Sequence, residues 1–191
     1  MGEKNVRMKN SEIVSLIEST IQVVNMDVEL VVEKTGVNMM YDFIKNEVVV
    51  DVDRVQKACK EMTPAMPLTT YIKTVTIHEL GHSMDRKALL SSLDRAVEII
   101  EAKKQAAAEK RPKDLPFVTM LLEEHETDIA FEETAWANAE ILNRFYGVVD
   151  WDSFEKVKDH SMATYRSAYE EDYEIFEQLR ETQENIIAVY N

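Results

Sequence analysis

The chain has 191 residues, of which 45% are hydrophobic and 30% charged, with a formal net charge of −14 and only four glycines and four prolines. A chain of this length is expected to form one domain with a sizeable core, and so few breakers point to long regular elements, chiefly helices. The acidic balance speaks against nucleic acid or anionic membrane as partners, because phosphates repel such a surface. The most basic stretch, Lys103 to Lys113, is interleaved with acids. Cys59 is the one cysteine, so neither a disulfide framework nor a cysteine-based zinc site is encoded. No apolar leader segment follows Met1 and no run of about 18 apolar residues occurs, which makes the cytoplasm the expected address.

Along the chain, residues 10–25 carry Ile13, Leu16, Ile17, Ile21 and Val24 at helical spacing, an amphipathic helix. Three short β-branched runs follow, at 28–34, 38–44 and 47–52, separated by TGVN and KN turns, and they predict a small antiparallel sheet in meander order. A short helix over 54–62 ends at Pro64 and Pro67, and a stronger helix begins near Leu68 and reaches about Asp85. Residues 87–109 read as one charged helix with Leu89, Leu90, Leu93, Val97 and Ile100 as its apolar stripe. RPKDLP at 111–116 reads as a linker, 117–146 as a long helix stopped by Gly147, and 151–189 as a last helical region.

The stretch TVTIHELGHSMD, residues 74 to 85, carries the chemistry. His78 and His82 stand at i and i+4, one turn apart on one helix face, where both imidazoles can bind one Zn²⁺ at about 2.0–2.1 Å. Glu79 follows the first histidine, placed to take a proton from a water acidified by the metal. Leu68, Tyr71, Ile72 and Val75 form a stripe that runs into these residues, so the histidines face inward, and buried polar groups of this kind need a partner such as a metal. Gly81 lies where a side chain would crowd a neighbour. HELGHSMDRKA lacks a third histidine close downstream, so the third ligand must come from a later Glu, Asp or His.

The long helix is dense in carboxylates. At 100° per residue, Val118, Leu122, His125, Ile129, Glu132, Trp136 and Asn143 gather on one face, which places Glu132 among the inward set; Glu133, on a flanking stripe with Ala130 and Ala137, is its rival. Glu124 and Asp128 form an E-x-x-x-D pair that heads outward. Donors able to steady an oxyanion are His160, with Tyr165 and Tyr169 near it in sequence, and His125, which could equally support a ligand. A carboxylate-bridged di-iron bundle would need a second E-x-x-H, which the long helix lacks.

HELGH together with EETAWANA, matching Glu132, Ala135, Trp136 and Ala139, resembles the gluzincin metallopeptidases of the ImmA/IrrE family over about residues 10–145. The resemblance implies an α+β, mainly helical, zincin-like domain over residues 1–147; the C-terminal helical extension, 148–191, expected to pack on the same domain, has no counterpart in the family. The resemblance also implies Zn²⁺ held by His78, His82 and Glu132, with Glu79 as catalytic base. The expected activity is hydrolysis of peptide bonds in a protein or peptide substrate, often a regulatory protein in a prophage setting. The chain departs from the family in lacking the apolar run that often follows the glutamate, and the spacing, 132 − 82 = 50 residues, is long for a compact member. The other class of reading is a catalytically silent protein-binding module on the same fold, against which an intact Glu79 argues.

Overall fold

The structure, a computed structural model, describes residues 8–110 and 113–190, with side chains to 185. It is α+β and mainly helical: α1 (Asn10–Val23), β1 (Glu29–Val32), β2 (Met39–Asp42), β3 (Glu47–Val50), α2 (Val52–Glu61), α3 (Leu68–Met84), α4 (Arg86–Ser91), α5 (Leu93–Ala108), α6 (Leu115–Tyr146) and α7 (Trp151–Tyr190). Arg111 and Pro112 of the expected linker, and most of the N-terminal stretch read for a leader, lie outside the described residues. No helix among those described is long and apolar enough to cross a membrane.

The chain divides into two compact units, residues 1–87 with 133–160 and residues 88–132 with 161–191. In the first, the sheet is mixed and not the expected antiparallel meander. Its order is β1-β3-β2, with β1 parallel and β2 antiparallel to β3. β3 takes the centre because Val48, Val49 and Val50 are all buried, so both of its faces are covered, as suits an apolar run without alternation. The loop from β1 to β2 therefore crosses the end of β3. Gly36 turns there at φ +80, and its N–H donates to Asp51 Oδ2 at 3.1 Å. The other Asp51 oxygen accepts from the Asp53 and Arg54 N–H groups as the N-cap of α2. These bonds, the one to Arg54 foremost, hold the Asp51 carboxyl below the usual range.

α3 is the axis of this unit, in contact with α1, α2 and β2. Apart from Lys73, it is buried from Tyr71 through Gly81, on every side and not along one stripe as the sequence suggests. The core of this unit includes Ile13 and Ile17 of α1 and Val55 of α2, each 0% exposed.

In the second unit the expected single helix over 87–109 is broken at Ser92, whose N–H bonds to the Ala88 and Leu89 carbonyls. The break re-aims the face that follows. Leu89, Ile99 and Ala106 point inward, while Val97 and Ile100 of the expected stripe are exposed. α5 is tied to α6 by a forked pair, Arg95 to both oxygens of Glu123 at 2.9 and 2.6 Å, and by Lys103 to Glu124 at 2.8 Å. α6 is tied to α7 through Asp172, which accepts from Lys113 Nζ at 2.5 Å and meets His125 Nε2 at 3.0 Å.

Candidate metal centre

α3 begins behind Pro67, whose fixed φ and missing N–H suit the edge of a helix. Ten residues into it, His78 and Glu79 are buried at 6% and 7% exposure, and His82, one turn later, is half-buried. Inside the first unit this turn of α3 is crossed closely by the second half of α6. A Cβ on Gly81 would stand 3.0 Å from the carbonyl carbon of Ala135 and nearer still to its oxygen, so glycine is required here by the neighbouring backbone. Ala135 and Ala139, both buried, are the small residues on the α6 side. Asn138 Nδ2 donates to the Gly81 carbonyl at 3.0 Å. That carbonyl lies in the last turn of α3, and the Asp85 N–H, its helical partner by position, bonds to His82 instead, so Asn138 fills the place left at a helix end.

One group of residues among those described could hold a metal ion: His78, His82 and Glu132, whose ligand atoms all lie within 4.8 Å of one another. Two imidazoles and a carboxylate are a donor set for a divalent transition ion with an open position. Bonds of about 2.0–2.1 Å require roughly 3.3 Å between ligand atoms, a closure within reach of side-chain rotation. Glu132 is 8% exposed, whereas its rival Glu133 is exposed. The His78 ring meets His82 edge-on at 4.8 Å and 71°, and lies flat on Trp136 at 4.2 Å and 20°.

The remaining candidates fall elsewhere. His125 is engaged with Asp172. Glu124 pairs with Lys103, and Asp128 is exposed on α6. His160 is exposed on α7, Tyr165 is half-buried there, and Tyr169 stacks on Tyr173 at 5.8 Å. Cys59 is buried. Two further residues shape the site: Trp136, which the sequence places on the inward face with Glu132 and in EETAWANA without a role of its own, and Asn138, which had no signal because its bond depends on where α3 ends. Compared with known protein families, curated proteins and solved structures, the chain matches none.

Proposed function

We propose that the protein is a zinc-dependent peptidase of the gluzincin kind, similar to the ImmA/IrrE metallopeptidases, that cleaves a regulatory protein inside the cell. The observation that carries this reading is the convergence of His78, His82 and Glu132 with Glu79 buried on the same turn of α3. A binding module has no use for a buried carboxylate next to a ligand histidine, whereas a hydrolase needs a base there.

When bound, the ion supplies Lewis-acid polarisation of the scissile carbonyl and lowers the pKa of water toward 7. Glu79 takes the proton of the attacking water and passes it to the leaving amine, so the water's oxygen joins the carbonyl carbon as the C–N bond breaks. Burial of Glu79 limits its solvation and favours transfer within the site.

The test is Glu79→Gln. The variant should keep its zinc and lose about 10²–10⁴-fold in cleavage of casein or a mixed peptide library. A wild-type protein with full zinc that cleaves nothing across such a library would replace this reading with the catalytically silent binding module.

A further inference from the structure

We infer that Trp136 is a positioning residue for the metal ligand His78, an inference that rests on the metal reading above. The indole covers the imidazole face at a 4.2 Å centroid distance with the planes 20° apart. Trp136 is itself held from another side by Phe154, edge-on at 5.5 Å and 83°, and is 1% exposed, so the stack has little freedom to slip. Phe154, 0% exposed, in turn meets Trp151 edge-on at 5.6 Å. α6 thus carries Glu132 and Trp136 one turn apart, and a single turn supplies both a ligand and the flat plate that orients another ligand on α3.

The indole N–H sharpens the argument. Trp136 Nε1 is buried with no hydrogen-bond partner among the described residues. A buried tryptophan ordinarily uses that donor, and leaving it unused is unfavourable. The contact that Trp136 makes with His78 is through the flat face of its ring and not through its polar handle. Imidazole ligands lose affinity when the groups that fix their ring orientation are removed, typically by 10–100-fold.

Three measurements test this. Zinc affinity by competition with a chromophoric chelator should fall about 10–100-fold in Trp136→Leu and be restored to within about threefold by Trp136→Phe, which keeps a flat ring. Ile17→Ala, a core substitution on α1, is the control for general destabilisation and should leave zinc affinity unchanged. In a Trp151→Phe background Trp136 is the sole tryptophan, and its emission should change with added zinc and saturate at one equivalent; this readout needs no substitution at Trp136. Unchanged affinity in Trp136→Leu, equal loss in Ile17→Ala, or emission indifferent to bound zinc would each overturn the role. A wild-type protein that binds no zinc would instead remove the metal reading itself.

Discussion

Glu132 and Glu133 are adjacent in sequence and opposite in environment, one buried at 8% exposure beside two histidines and the other in water. A step of 100° per residue separates them, so helical geometry alone places one of the two inward. The same stepping offers no such choice on α3, which is buried on every side from Tyr71 through Gly81 apart from Lys73. It could not find the partners of single polar groups, as Asp172 illustrates. Burial raises the pKa of this carboxyl, but the hydrogen bonds and charges of Lys113 and His125 outweigh burial and leave it below its ordinary 3.8. A carboxylate lowered in the folded state contributes stability that is fully present above the unfolded value and is lost as pH falls through the folded one. Asp172→Asn should therefore cost about 1–2 kcal/mol at neutral pH. Thermal unfolding of the two proteins across pH should show the gap closing below about pH 4.

At the scale of elements, the helices were legible and their neighbours less so. Periodicity located α1, α3, α6 and α7 to within a few residues, because each has an apolar pattern longer than two turns. Strand order differs from the expected meander. Position in a sheet depends on which strand is covered on both faces, and the signal was the unalternating EVVV, which belongs in the centre. The break at Ser92 had no comparable signal, and one misplaced helix boundary turned the expected stripe of α5 to solvent.

The crossing of α3 and α6 at Gly81 gives the element-scale prediction. Alanine favours a helix over glycine by about 0.5–1 kcal/mol. The added Cβ, however, meets backbone at Ala135, which cannot rotate away, so the clash wins. Gly81→Ala should lose about 1–2 kcal/mol net by thermal unfolding and bind zinc more weakly, since the crossing spaces the ligand helices. Asn138→Ala removes the bond to the Gly81 carbonyl and should lose about 1 kcal/mol.

For the whole molecule, α6 and α7 each contribute residues to both compact units, so the units are interleaved along the chain. A metal that binds the folded protein and not the unfolded one stabilises it by mass action, by about 2.7 kcal/mol at a hundredfold excess over Kd. For a chain of this size that corresponds to roughly 5–10 °C in Tm, so a strong chelator should lower Tm by that amount and restored zinc should return it. The most direct test of the central claim is elemental analysis of purified wild type, Glu132→Gln and Glu133→Gln. The account predicts about one zinc per chain in wild type and in Glu133→Gln, with zinc lost in Glu132→Gln. Wild type without stoichiometric metal, or loss confined to Glu133→Gln, would contradict it.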